Sequence, residues 1–261
     1  MNRYRAIALT ALLGVLGARP CFAGGKKETP PVNSQKKQVA ASTSWVAAIA
    51  RAGGARDIRV LAPADLRHPP EYELKPSDLT AVSQAGLVIY AGWERFAQKL
   101  AETATARTLI VSTENTPEAL KAEARRVAEL LGTLEAFEAW SAAFDPLAED
   151  LRRQVQAAYP DRRAVVHRMQ APFARWLGFT ILGEFGPAEP SPSLILDLVK
   201  LQPVLVIDNY HGPSGAPIAE AAGAAYGELL NFPGKDGSET LEDLFRYNAR
   251  ALINAASAHA R

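Results

Sequence analysis

Short apolar runs alternate with helical patterns along most of this 261-residue chain, and this alternation limits the fold more than any other feature. Four runs rich in Val and Ile occupy the first half, QVAAST, DIRVLAP, GLVIYAG and RTLIVST, and four the second, RAVVHRM, FTILGEFG, PVLVIDN and YGELLN. Between them the apolar residues have helical spacing, as in WVAAIARAGG and SPSLILDLVKLQ. Nearly continuous apolar strands separated by helices are typical of parallel sheets covered on both faces, so we predict an α/β fold.

A long helical stretch divides the chain into two halves. It covers residues 118–160, and we expect interruptions near Gly132 and at Pro146, because proline removes a backbone donor. The sequence therefore predicts two α/β lobes, residues 38–117 and 161–261, joined by these bridging helices. A terminal helix that begins near Thr240 completes the second lobe.

The N-terminus has the pattern of an export signal. Arg3 and Arg5 precede an apolar run that ends at Ala18, and small residues follow, which predicts a signal over residues 1–23. The apolar run is too short to span a membrane, and residues 24–37, GGKKETPPVNSQKK, are typical of a flexible tether. Cys21, the single cysteine, either precedes an ordinary cleavage site or is the acylated first residue of a lipoprotein. We expect a periplasmic protein or one anchored to the outer face of the membrane.

Charge and motifs narrow the function classes. The formal net charge is +1, with acidic and basic residues interspersed, so no nucleic-acid partner is indicated. The sequence lacks the GxSxG, GxGxxG and GxxxxGK[ST] motifs, and a chain that begins after the signal would have no cysteine for thiol chemistry. We therefore predict a binding protein and not an enzyme.

Histidines and carboxylates follow several of the predicted strands. Ligands bind open α/β sheets outside the carboxyl ends of the strands, and three of the four histidines stand at such positions. Imidazole and carboxylate are ligands that divalent transition metals accept. The sequence predicts a metal site drawn from His68, His167, His211, Glu114 and Asp208.

Each of these residues also has an ordinary structural interpretation. His68 lies on a proline-rich loop where it would be solvated, and His167 could be hydrogen-bonded within the core. His211 enters a Gly-Pro turn, and Asp208 could cap that turn or the helix after it. Trp45, Trp93 and Trp176 are interpreted as packing residues.

A series of segments carries a resemblance over nearly the whole chain after the predicted signal. In order they are STSW, YELKPSDL, GLVIYAGWERFAQKL, HRMQAPFARWLGF, EPSPSLILDLV, GAPIAEAAGAAY and LEDLFRYNARAL. Together they resemble the metal-binding solute receptors of ABC importers, the ZnuA/TroA type. The resemblance implies two α/β lobes bridged by a long helix, with zinc or manganese held between them. His167 matches the family's third ligand, whereas Pro70, Ser112 and Asn231 stand at the other ligand positions.

The resemblance therefore implies a rearranged ligand set, His68, His167 and His211 with Glu114 or Asp208, or a different solute. We expect a monomeric receptor that captures a divalent transition metal, zinc first and manganese or another metal next. It would deliver the metal to a permease and its ATPase. One alternative is a surface lipoprotein or adhesin of the same fold. Another is a receptor for an organic or metal-chelate ligand that uses Trp93 and Tyr210.

Overall fold

Two parallel sheets organise the part of the chain that the structure describes. The structure is a computed structural model, and it describes residues 38–63, 66 and 71–260. The first sheet contains β1 (Val39–Ala41), β2 (Ile58–Val60), β3 (Leu87–Tyr90) and β4 (Arg107–Ile110). The second contains β5 (Arg163–His167), β6 (Thr180–Phe185), β7 (Leu205–Asn209) and β8 (Ala225–Leu229). All eight predicted strands and the two-lobe α/β architecture are confirmed.

Helices connect and cover these strands. In chain order they are α1 (Ser44–Ala52), α2 (Pro76–Gln84), α3 (Ala97–Thr103), α4 (Pro117–Leu131), α5 (Leu134–Ala158), α6 (Ala171–Trp176), α7 (Pro192–Lys200), α8 (Ala216–Ala222) and α9 (Leu241–His259). A short 3-10 helix, Arg168–Gln170, links β5 to α6. None of these described helices is both long and apolar enough to cross a membrane. The predicted signal and tether over residues 1–37, and His68, lie outside the described residues.

Both sheets have the same strand order, and this order determines where a ligand can bind. The orders are β2-β1-β3-β4 and β6-β5-β7-β8, with every pair parallel. The connections therefore diverge between β1 and β3 in the first sheet, and between β5 and β7 in the second. Loops leave a crevice at such a switch point, outside the carboxyl ends of the strands. His167 ends β5 and His211 follows β7, so both histidines lie at the switch point of the second sheet.

Helix α5 runs beside both lobes. Near its start the Thr133 hydroxyl donates to the Gly53 carbonyl at the end of α1, at 2.6 Å. After its end the Tyr159 hydroxyl donates to the Leu252 carbonyl of α9, at 2.9 Å. One helix is thus attached to the first lobe at one end and to the second lobe at the other.

The expected break near Gly132 is confirmed, but the expected break at Pro146 is wrong. Gly132 ends α4 with a left-handed φ of 70°, a conformation that glycine adopts readily. Helix α5, in contrast, is continuous through Pro146. Proline removes only one backbone donor, and buried Phe144 and Ala148 on either side pack these turns into the core. Tertiary packing therefore outweighs the local cost of the proline.

Candidate functional site

A cleft of about 590 Å³ lies where the carboxyl ends of the two sheets meet. Residues of both lobes form its walls. The apolar residues that line it are Trp45, Trp93, Met169, Pro172, Pro187 and Phe232. The polar and charged residues are Ser112, Thr113, Glu114, Asn115, His167, Arg168, Asn209, His211 and Asn231. Three of the five predicted ligands, Glu114, His167 and His211, are therefore in one cleft.

His167 is almost completely enclosed, with 1% of its surface exposed. Its Nδ1 accepts a hydrogen bond from the Met169 backbone N–H at 3.2 Å, which places the proton of the neutral ring on Nε2. Nε2 is buried and has no hydrogen-bond partner among the described residues. Gly186 packs so closely against this nitrogen that a Cβ at position 186 would overlap it.

Burial also keeps the His167 ring neutral. Desolvation lowers the pKa of His167, the Asp208 carboxylate raises it in part, and Arg168 lowers it further. The edge of the ring also contacts Phe185 at a centroid distance of 5.5 Å. The imidazole is thus fixed in orientation and uncharged at neutral pH.

His211 lies between aromatic rings. It stacks on Phe232 with a centroid distance of 3.8 Å and an interplanar angle of 18°, and it meets Tyr210 edge-on at 5.3 Å. Phe232 in turn contacts Trp45 at 5.8 Å. Since Trp45 also contacts Trp93 at 6.4 Å, a continuous row of rings extends from one lobe to the other.

The two carboxylates that the sequence singled out have different environments. Glu114 is exposed at the cleft, where its Oε1 accepts from the Thr116 hydroxyl at 3.3 Å. Asp208 is fully buried and does not line the cleft. Its Oδ2 accepts from the backbone N–H groups of Ser214 and Gly215, at 2.9 and 2.6 Å, in the turn that leads into α8. This is the capping arrangement that the sequence left open for Asp208.

Tyr226 completes the environment of Asp208. The Tyr226 hydroxyl donates to Asp208 Oδ2 at 2.8 Å. Burial, and then this hydrogen bond, raise the pKa of Tyr226 far above its ordinary value, so the phenol remains a donor. Both oxygens of Asp208 are engaged, because Oδ1 accepts from the Asn209 N–H at 2.7 Å.

The described residues contain no group of three or more His, Cys, Asp or Glu side chains that could hold a metal ion. His68, the remaining histidine of the predicted set, lies outside the described ranges. The ligand set of His68, His167, His211, Glu114 and Asp208 therefore stays a prediction. Two histidines and one exposed carboxylate line the cleft itself.

A chain of amide hydrogen bonds crosses between the lobes beside the cleft. The Trp45 indole N–H donates to Asn115 Oδ1 at 3.1 Å, and Asn115 Nδ2 donates to the Asn231 carbonyl at 2.6 Å. Gln170 Nε2 then donates to Asn231 Oδ1 at 2.6 Å. The Ser44 hydroxyl adds a second link, to the Pro233 carbonyl at 2.6 Å. Asn231, at a position where the resemblance implies a ligand, here joins the two lobes.

Several cleft residues were not singled out from the sequence, and four of them lie within two positions of a residue that was. Arg168 and Met169 directly follow His167 at the end of β5, Asn115 follows Glu114, and Phe232 follows Asn231. Each lies one or two positions after a residue that was selected because it follows a strand. If the two residues after each strand had also been selected, Arg168 and Met169 would have been found.

Among the comparisons with known proteins, only the comparison with solved structures finds similar proteins. No protein-family model matches the chain, and no curated protein matches it. Among solved structures, the chain is similar to a periplasmic metal binding protein from Candidatus Liberibacter asiaticus, with 17% identity and a TM-score of 0.68 over 85% of this chain and 100% of the other.

Two further solved structures are similar over almost their whole length. The laminin binding protein Lmb of Streptococcus agalactiae, described as a bifunctional protein with adhesin and metal transporting activity, has 17% identity and a TM-score of 0.66, over 84% of this chain and 99% of Lmb. The solute-binding protein FpvC of P. aeruginosa, solved with Ni²⁺, has 19% identity and a TM-score of 0.63, over 85% of this chain and 97% of FpvC. The chain therefore has the two-lobe fold of the periplasmic metal-binding solute-binding proteins.

Proposed function

We propose that the protein is the extracytoplasmic solute-binding component of an ABC importer, which captures a divalent transition metal and delivers it to a permease and its ATPase. The observation that carries this proposal is the position of the cleft. It lies at the carboxyl ends of both sheets, where parallel α/β folds bind ligands, and it contains His167, His211 and Glu114. The role is capture and release, not catalysis.

Zinc is the first candidate for the metal, because neutral imidazole is a preferred ligand of zinc and of its neighbours in the transition series. Nickel, which is bound in the FpvC structure, and manganese are the next candidates. Direct coordination would use His68, His167 and His211 with Glu114, and it would require His167 to give up the hydrogen bond from the Met169 N–H. Asp208 is the least available of the proposed ligands, since both of its oxygens already accept hydrogen bonds.

The proposal includes the location and the domain division. Export by residues 1–23 would place the protein in the periplasm, or on the outer face of the membrane if Cys21 is acylated. The lobes are assigned to residues 38–117 and 161–261, with bridging helices over 118–160. A monomer suffices, because residues of one chain form both walls of the cleft.

Metal retention by the purified protein tests the proposal. The protein is stripped with a chelator, incubated with Zn²⁺, Mn²⁺ or Ni²⁺ as the free ion or as a small organic complex, and desalted. Elemental analysis should find stoichiometric retention of at least one metal in at least one form. His211→Ala should reduce retention, whereas His259→Ala, which changes an exposed histidine at the end of α9, should not.

Thermal unfolding provides a second readout. Cargo that binds only the folded state stabilises it by about 2.7 kcal/mol at a concentration one hundred times its Kd, so the melting temperature should rise with the logarithm of cargo concentration. If no metal is retained in either form and no melting temperature changes, the proposed function is wrong. A surface lipoprotein or adhesin of this fold would then account better for the chain.

A further inference from the structure

The cleft is much larger than a bare metal ion requires. A coordinated ion is surrounded by donor atoms at about 2.0–2.6 Å and leaves little free volume. The cleft measures about 590 Å³, which is within the range of about 300–1,000 Å³ found for sites of small organic molecules. Its size therefore fits a cargo that has an organic component.

The walls offer flat apolar surface. Trp93 is 40% exposed, and its indole N–H donates to the Thr113 hydroxyl at 3.1 Å, which fixes the orientation of the ring. Met169 is 53% exposed on the other lobe. An indole face and a polarisable thioether both interact well with an aromatic ring. Neither group has an advantage in binding a hydrated divalent cation.

The polar groups of the cleft are poorly arranged for direct coordination. His167 Nδ1 already accepts the Met169 N–H, and Nε2 is covered by Gly186, so neither ring nitrogen presents a free lone pair to the cleft. Asn115 and Asn231 bring neutral amides to the lining. The described residues contain no cluster of three metal-ligating side chains.

Arg168 gives the cleft a cation. Its side chain is exposed at the lining, and it forms no ion pair or hydrogen bond with any described residue. Glu114 is the only carboxylate among the described lining residues, so the two formal charges cancel. The lining therefore lacks the excess of negative charge that would attract a bare divalent cation, whereas a carboxylate or phenolate oxygen would pair with the Arg168 guanidinium.

We propose that the metal enters this cleft within an anionic organic complex that carries a flat ring. Trp93 and Met169 contact the ring, and Arg168 pairs with an anionic oxygen of the chelator. This inference rests on the proposed function, because it assigns the chemical form of the transported metal.

Binding of four probes to the chelator-stripped protein tests the inference. The probes are the 1:2 zinc dipicolinate complex, which is a dianion with two flat rings; zinc nitrilotriacetate, which is anionic without a ring; free Zn²⁺; and free dipicolinate. Titrations follow tryptophan fluorescence and heat. Zinc dipicolinate should bind at least about tenfold more tightly than each other probe, as expected when a charge-assisted hydrogen bond and a ring contact act together.

Matched variants test whether Arg168 and Trp93 cause the preference for zinc dipicolinate. Arg168→Gln should weaken zinc dipicolinate binding about tenfold, while Arg153→Gln, an exposed arginine on α5, should leave it unchanged. Trp93→Leu should weaken binding of the ringed complex more than that of zinc nitrilotriacetate. Melting temperatures close to that of the unmodified protein would show that both variants are folded.

Other outcomes separate this inference from the proposed function. If free Zn²⁺ binds as tightly as its complexes, and neither Arg168→Gln nor Trp93→Leu changes its affinity, the chelate inference is overturned and metal capture stands. If free dipicolinate binds as tightly as its zinc complex, the chelate inference is overturned in favour of an organic anion, and the metal-retention experiment decides the proposed function separately. Failure of zinc and nickel complexes of dipicolinate, salicylate and phenanthroline carboxylate to bind would also overturn the inference.

Discussion

The side-chain amide of Asn115 donates a hydrogen bond to the backbone carbonyl of Asn231, at 2.6 Å, across 116 positions of the sequence. Asn115 follows the last strand of the first sheet, and Asn231 follows the last strand of the second. Both residues are buried, so a donor or acceptor that loses its partner here is costly. The contact joins the lobes at the cleft.

Replacing Asn115 with alanine should destabilise the protein. The change leaves the Asn231 carbonyl without its donor and the Trp45 indole N–H without its acceptor. We expect the free energy of unfolding to fall by about 1–3 kcal/mol per unsatisfied group, measured by urea denaturation. Asn254→Ala, which changes an exposed amide on α9, serves as the control and should stay within about 0.5 kcal/mol of the unmodified protein. Equal effects of the two changes would contradict the structural role of Asn115.

Adding a carboxylate at position 231 should allow the cleft to coordinate a free cation more tightly. Asn231→Asp retains the acceptor for Gln170 and places a negative charge where the resemblance implies a ligand. We expect affinity for free Zn²⁺ to increase about tenfold or more, measured by calorimetry, since opposite charges attract strongly at a partly buried site. Asn254→Asp adds the same charge on an exposed face and should change nothing. An unaltered zinc affinity in Asn231→Asp would show that position 231 cannot reach the cargo.

Gly186→Ala should be costly for two separable reasons. Gly186 has a φ of 75°, and its added Cβ would overlap the His167 ring. Gly223→Ala is the matched control, because Gly223 has a φ of 58° and no heavy atom within 4 Å of an added Cβ. The control should lose about 1–2 kcal/mol of unfolding free energy from the backbone alone, and Gly186→Ala should lose at least about 1–3 kcal/mol more. If the two losses are equal, the packing of Gly186 on His167 is not tight.

Asp208→Asn should lower stability through the turn before α8. Both oxygens of Asp208 accept hydrogen bonds, and those from Ser214, Gly215 and Tyr226 converge on Oδ2. Because hydrogen bonds to a charged acceptor are worth about 1.5–3 kcal/mol each, we expect a loss of at least about 3 kcal/mol by chemical denaturation. Asp197→Asn, at an exposed aspartate of α7, should lose less than about 1 kcal/mol. A small loss for Asp208→Asn would instead favour its predicted role as a ligand.

Much of the fold follows from local pattern. Apolar strands such as LVIY at Leu87–Tyr90 are buried on both faces of a parallel sheet, and the composition of such strands is visible in a single sequence. The helix through Pro146 was not predictable in this way. Its continuity depends on Phe144 and Ala148, which pack against residues distant in the chain.

The site was only partly predictable. The carboxyl ends of parallel strands meet at one edge of a sheet. Selecting residues at these ends therefore predicted correctly that His167, His211 and Glu114 line the cleft. Asp208 was selected in the same way. In the structure, however, its carboxylate points toward the backbone of Ser214 and Gly215. The N–H groups of these two residues donate to Oδ2, so the carboxylate is stabilised without a ligand.

The sequence by itself determined the two parallel sheets and the histidines at their edge, since both depend on periodicity and on strand composition. Only the tertiary structure decided which atoms those residues present to a ligand. The contact of Gly186 with His167, the stacking of Phe232 on His211 and the bond from Asn115 to Asn231 join residues 19 to 116 positions apart. Such contacts depend on how side chains distant in the chain pack together in the folded protein, and no local pattern in the chain encodes that packing.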